Sequence, residues 1–202
     1  MSTATVLLTA NEAASITGVP LRQVHRIIDA GLLDGAVERR HNARLLSRNA
    51  LVGLKLAYDT ADMLTLEGRR AVIEAILRHP RQSVIRARTV AVDTRDAAQA
   101  VRAGRDQLTK ACRIVKKDPA VLSGTPVFKG TRVPVHDIAD MLANGDTPAA
   151  IVRAYPQLDT DLVQLGALYA AAYPQRGRPR VKAPWRSSAP KFSETLTLDD
   201  AA

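Results

Sequence analysis

Arg22, Gln23, His25 and Arg26 fall within five consecutive positions, and their side chains suit hydrogen-bond readout of base edges. A guanidinium matches the paired acceptors of guanine, a glutamine amide matches adenine, and such groups also reach neighbouring phosphates. No comparable grouping suits catalysis. The chain has no Gly-x-Ser-x-Gly elbow, no phosphate loop and no paired histidine ligands. Asp137 and Asp140 share a helix face and read as solvated surface. The single cysteine, Cys112, rules out an intramolecular disulfide and a cysteine-built zinc site. The expectation is a protein that is not an enzyme, needs no cofactor or metal, and works by binding.

The elements that must position those four side chains are short. Leu8 to Pro20 reads as an N-capped helix stopped by Gly18 and Pro20, and Leu21, Val24, Ile27 and Ile28 define a second helix closing at Ala30-Gly31. Two short helices joined by a tight glycine turn make a helix-turn-helix, whose second helix would enter the major groove. Any αα-hairpin could show the same spacing, and the segment after the second helix tips the balance. Ala36-Val37-Glu38 and Leu45-Leu46-Ser47 read as two strands around a basic tip, a wing. The order helix, turn, helix, Gly31-Leu32-Leu33, basic hairpin resembles the winged helix-turn-helix of MerR-like regulators over about residues 9–58. That resemblance implies that Arg39, Arg40 and Arg44 reach phosphates or the minor groove beside the recognition helix. His41, with no second His or Cys at ligand spacing, reads as a polar wing-tip residue.

Apolar spacing predicts two further helices, one from Ser47-Arg48-Asn49 to Tyr58 and one from Thr65 to His79-Pro80, which form a structural body. Ser83 to Val92 reads as one strand, with Ile85, Ala87, Thr89 and Ala91 on a common face. Asp93-Thr94 then caps a helix with a narrow stripe through Ala97 or Ala98, Val101, Leu108 and Ala111 or Cys112. The stripe packs within the monomer or pairs two copies, and Cys112 reads as a small core residue.

Gly124 to Val135 reads as a tight hairpin: a strand at Val127-Phe128, a Lys129-Gly130 turn, and a returning strand at Val133 to Val135. Three helices come next: one through Ile138, Met141 and Leu142, one opened by Thr147-Pro148, and one from Thr160-Asp161 with Leu162, Leu165, Leu168, Tyr169 and Ala172 on its stripe. Lys117-Asp118-Pro119, Leu122-Ser123-Gly124, Pro126-Val127, Lys129 to Val135 and Tyr155-Pro156 resemble the bacterial domain of unknown function 433, a helix-turn-helix-like module. The resemblance covers about residues 113–173, and differs in having Ser123-Gly124 where the pattern has two glycines. It implies an antitoxin of VapB type, whose partners are PIN or PIN-like ribonuclease toxins. Such nucleases gather several carboxylates at the end of a sheet to hold Mg²⁺, and this chain offers no strand-rich module with that set.

Beyond Pro174, Pro, Gly and charge predict a flexible tail. It nevertheless contains Trp185, the only tryptophan, and Phe192, one of two phenylalanines. Large apolar groups there suggest ordering on a partner. Arg176-Gly177-Arg178-Pro179-Arg180 is similar to an AT-hook core that lies in a narrow A·T minor groove. The arrangement also resembles the toxin-binding tails of VapB-type antitoxins. By that resemblance an arginine among Arg176, Arg178, Arg180 and Arg186 pairs with the nuclease carboxylates while Trp185 and Phe192 fill apolar pockets. A merely solubilising basic tail is the third reading.

Composition is consistent with this division. Of 202 residues 46% are hydrophobic but only 3% aromatic, so the core must come from small aliphatic side chains on helices. The net charge of +9 is uneven: residues 81–118 carry 10 basic and 4 acidic groups, and residues 119–173 carry 3 and 5. The excess suits a polyanion or a solvated surface, and the second interval suits protein contacts. The start has no basic leader and no apolar run of membrane length, which predicts a cytoplasmic protein. The expected fold class is mainly α with short β-hairpins: a winged helix-turn-helix at 1–80, a strand-helix bridge at 81–112, a trihelical helix-turn-helix-like domain at 113–173, and a toxin-binding tail at 174–202. The expected function is an antitoxin that neutralises a PIN-like ribonuclease and represses its own operon at operator DNA, as a homodimer or a toxin-antitoxin hetero-oligomer. The alternative is a stand-alone DNA-binding regulator with an AT-hook-like tail.

Overall fold

The first helix begins where its backbone donors find partners. In the computed structural model, which describes residues 6–40, 43–87 and 89–175, Thr9 Oγ1 accepts the Glu12 amide at 3.2 Å and Glu12 Oε2 accepts the Thr9 amide at 2.8 Å. This reciprocal capping box opens α1 (Ala10–Thr17). Gly18 closes it at φ 69°, a left-handed conformation open to glycine at little cost. Pro20 then leads in extended conformation into α2 (Leu21–Asp29).

A three-stranded antiparallel sheet lies beside the helix pair, with order β1 (Leu7–Leu8), β3 (Ala43–Ser47), β2 (Val37–Arg40). The first of these strands has no counterpart among the expected elements, because two residues are too few to show alternation. Next come α3 (Ala50–Asp59) and α4 (Leu66–Arg78), the latter capped by Thr65 Oγ1 on the Gly68 amide at 3.2 Å. Ala13, Ile16, Val24, Leu33, Leu46, Leu51 and Leu54 make one apolar core from these elements.

The stretch read as one strand from Ser83 to Val92 is a hairpin, β4 (Val84–Ala87) against β5 (Val90–Asp93). Ile85 pairs with Val92 and Ala87 with Val90, so the inward face runs through odd positions before the turn and even positions after it. A two-residue reversal shifts the parity, and a single-strand reading puts Ala91 on the wrong side. Ile85 is 1% exposed, while Val84 on the other face is 46% exposed.

Next, α5 (Arg95–Arg113) starts with the Arg95 amide donating to Asp93 Oδ1 at 2.9 Å. Thr94 does not cap it; its hydroxyl donates to the carbonyls of Gln82 and Ser83, tying the hairpin base to the helix. Ala97, Val101, Leu108 and Ala111 are the buried stripe. Cys112 is exposed, which corrects its core reading: Ala111, one position earlier, is the residue facing inward.

The last part is built around Phe128. β6 (Val115–Lys116) pairs antiparallel with β7 (Val127–Phe128). The expected returning strand is reduced to one bridge, Val127 with Pro134, because Pro134 extends directly into α6 (Val135–Ala143). Pro148 sits in the first turn of α7 (Pro148–Ala154), whose Thr147 caps the Ala150 amide. Asp159 caps α8 (Thr160–Ala172), whose deepest residues are Val163, Gly166, Tyr169 and Ala172. Leu162, Leu165 and Leu168 are only half-buried, so the true stripe is rotated from the one expected. The Phe128 ring fills the space where a Cβ on Gly166 would stand, 2.5 Å from its Cζ. Burying that ring contributes roughly 1.5–3 kcal/mol.

The described residues are therefore mainly α with short β-hairpins, as expected. Around Ala172, α8 joins the first apolar core, together with Val101 and Leu108 of α5. A Cβ on Gly104 would lie 1.9 Å from the Ile16 carbonyl oxygen, so glycine sets the α5–α1 approach.

Candidate nucleic-acid interface

Val24 at 0% and Ile27 at 5% exposure anchor α2 to the core. Helical geometry then turns Arg22, His25, Arg26 and Asp29 outward along one strip, and all four are exposed. Gln23 is half-buried and lies beside the strip rather than on it.

The wing stands next to this helix. Its register pairs Val37 with Leu46 and Arg39 with Arg44. These pairs share a sheet face, because side chains alternate along each strand. Leu46 is fully buried, so that face turns inward at its base and carries Arg39 and Arg44 further out. Arg44 forms an ion pair with Asp29 at the end of α2. The hydrogen bond from Arg44, then the nearby charges of Arg44 and His25, hold the Asp29 carboxyl below its ordinary pKa. Glu38 and Arg40 occupy the opposite face and bond each other, Arg40 Nη2 to Glu38 Oε2 at 3.0 Å and Nε at 3.2 Å.

The predicted residues thus fall into three groups. Arg22, His25 and Arg26 lie together on the exposed face of α2. Arg39 is exposed and makes no ion pair among the described residues, whereas Arg44 and Arg40 are engaged with Asp29 and Glu38. Arg176, Arg178, Arg180, Trp185, Arg186 and Phe192 lie outside the described residues. Sequence reasoning missed Asp29. An acid at a helix C-terminus opposes the helix dipole and calls for a cationic partner, and that was the available signal.

A second feature missed in the sequence ties the two ends of the fold together. The Tyr173 hydroxyl donates to Glu12 Oε1 at 2.9 Å, and the Tyr173 carbonyl bonds His136 Nε2 at 2.9 Å. Among the described residues no group of three or more His, Cys, Asp or Glu side chains could hold a metal ion, and no helix is long and apolar enough to cross a membrane.

Residues 115–170 match the family model described as protein of unknown function DUF433, in agreement with the resemblance seen around Lys129 to Val135. The chain is similar to uncharacterized protein y4eO of Sinorhizobium fredii, with 33% identity over 192 residues spanning 87% of this chain and 85% of that protein. No solved structure matches the chain.

Proposed function

We propose, for a chain that belongs to one family with y4eO and carries a DUF433 domain, the function of a DNA-binding antitoxin that represses its own operon. The observation that carries the DNA half is the exposed strip of Arg22, His25 and Arg26 on α2, set beside a wing that presents Arg39. In this reading α2 is the recognition helix of a MerR-like winged helix-turn-helix. The strip reads base edges, Gln23 borders it, and Arg39, Arg40 and Arg44 lie along the phosphates. Arg44 positions the wing through Asp29 as much as it contacts DNA.

The neutralising half rests on the DUF433 domain and on the residues after it. Residues 119–173 carry more acidic than basic groups, which disfavours a DNA backbone and suits protein contact. Arg176, Arg178, Arg180, Trp185, Arg186 and Phe192 are assigned to a PIN-like ribonuclease, as in VapB-type antitoxins. The antitoxin itself performs no catalysis, and acts as a homodimer or as a hetero-oligomer with the toxin.

Co-purification tests this reading. The tagged chain is expressed with its neighbouring reading frame, in full and truncated after Pro174, and each product is tried on operator DNA. A partner retained only by the full chain, which cleaves RNA once freed, supports the antitoxin. DNA binding by both products with no partner favours the stand-alone regulator with an AT-hook-like tail. RNA cleavage by the pure chain that EDTA abolishes would overturn both.

A further inference from the structure

Where β1, α1 and α5 meet the end of α8, a cleft of about 280 Å³ opens. Its lining includes the apolar Leu8, Ile16 and Leu108 and the basic Arg48 and Arg105. Most polar groups in the walls are already engaged inside the protein. Glu12 bonds Tyr173 through Oε1 and Thr9 through Oε2. The Thr109 hydroxyl donates to the Arg105 carbonyl at 2.8 Å, and Cys112 Sγ lies 3.7 Å from the Tyr173 hydroxyl as its hydrogen-bond partner. Arg48 and Arg105 are the exceptions: neither makes an ion pair among the described residues.

We propose that this cleft binds a small carboxylate with an apolar body. Two guanidiniums without acidic partners among the described residues supply planar donors that match a carboxylate, and the other polar side chains of the lining are bonded within the protein. The apolar residues of the lining favour a hydrocarbon portion, which inorganic anions lack. At roughly 30 Å³ per small group the volume admits about nine non-hydrogen atoms. The site includes none of the residues assigned to DNA or to a toxin, and it stands whether or not that assignment does. Its occupant would touch Ile16 of α1 and the Tyr173 junction, and would thereby bear on the helix pair that carries α2.

The test uses the full chain without DNA and hexanoate as the probe. Calorimetric titration is expected to show saturable hexanoate binding, at least tenfold weaker binding of acetate, and none of hexylamine. Arg48→Gln and Arg105→Gln are each expected to raise the Kd at least tenfold, with the circular dichroism spectrum and unliganded Tm unchanged. Methyl spectra should place the largest shifts at Leu8, Ile16 and Leu108. No saturable binding, equal binding by inorganic phosphate, unchanged binding in the double variant, or shifts elsewhere would each overturn the site. If Arg105→Gln fails to fold, Arg48→Gln at an exposed position and the methyl map still decide it.

Discussion

Tyr173 and Glu12, 161 residues apart, share one hydrogen bond of 2.9 Å that joins the end of α8 to the first turn of α1. The same carboxylate accepts the Thr9 amide through its other oxygen, so the capping box and the interhelical link are one group. Burial first, then the hydrogen bonds with Cys112 and Glu12, raise the Tyr173 pKa above the ordinary phenol range. The hydroxyl therefore stays protonated and keeps donating at any ordinary pH.

Tyr173→Phe should cost about 1 kcal/mol, the net value of one hydrogen bond, and Glu12→Ala about 1–2 kcal/mol because the cap is lost as well. Urea unfolding of both single variants and the double variant checks the link. The two losses should fall short of additivity by about 0.5–1 kcal/mol, and strict additivity would show that the pair is not coupled.

Gly104→Ala should be far more damaging than its chemistry suggests. The added methyl meets the Ile16 carbonyl oxygen at 1.9 Å, and backbone cannot yield as a flexible side chain does. A loss of about 3 kcal/mol is expected, the upper range for overpacking. A wild-type Tm in this variant would contradict the α5–α1 contact.

Ser123 offers the opposite sign. It sits at φ 54° between Leu122 at 45° and Gly124 at 82°. A left-handed L residue costs about 1–2 kcal/mol, and glycine returns part of that as unfolded-chain entropy. Ser123→Gly is expected to stabilise by about 0.5–1 kcal/mol in denaturant titration.

Asp93 sets a pH dependence. The Arg95 side chain, then its amide, hold the Asp93 carboxyl at about 2. A folded-state pKa below the unfolded value of about 3.9 means that its stabilisation is complete above that value and is lost as pH falls through about 2. Asp93→Ala should flatten the acid limb of stability over that window. An unaltered limb would show that the pair contributes nothing in solution, which surface pairs can do.

On the DNA reading, Arg22→Ala with Arg26→Ala should abolish operator binding in a mobility shift. Arg39→Ala should weaken binding more than Arg40→Ala, because Arg40 is already held by Glu38 at 3.0 Å. If both side chains contact phosphates singly, each loss should lower the salt slope by about 0.9. Equal losses at 39 and 40 would mean that the wing ion pair opens on DNA.

Residue types and spacing were enough to place the local elements. An N-capped first helix, a turn at Gly18 and Pro20, a helix start at Pro148, and Val24 with Ile27 on the inward side of α2 were legible, because caps, φ preferences and helical periodicity act within a few residues. The same locality explains the errors. Arg88-Thr89 carries no glycine or asparagine to announce a reversal, so a hairpin looked like one strand. Cys112 and Ala111 fit the stripe equally well until α8 and α1 selected one rotation of α5. Only the tertiary structure paired Arg44 with Asp29, brought Tyr173 to Glu12, and gathered Arg48 and Arg105 into one cleft with Leu8, Ile16 and Leu108. Those contacts join residues distant in the chain, and their partners depend on how helices pack, which no short-range pattern encodes.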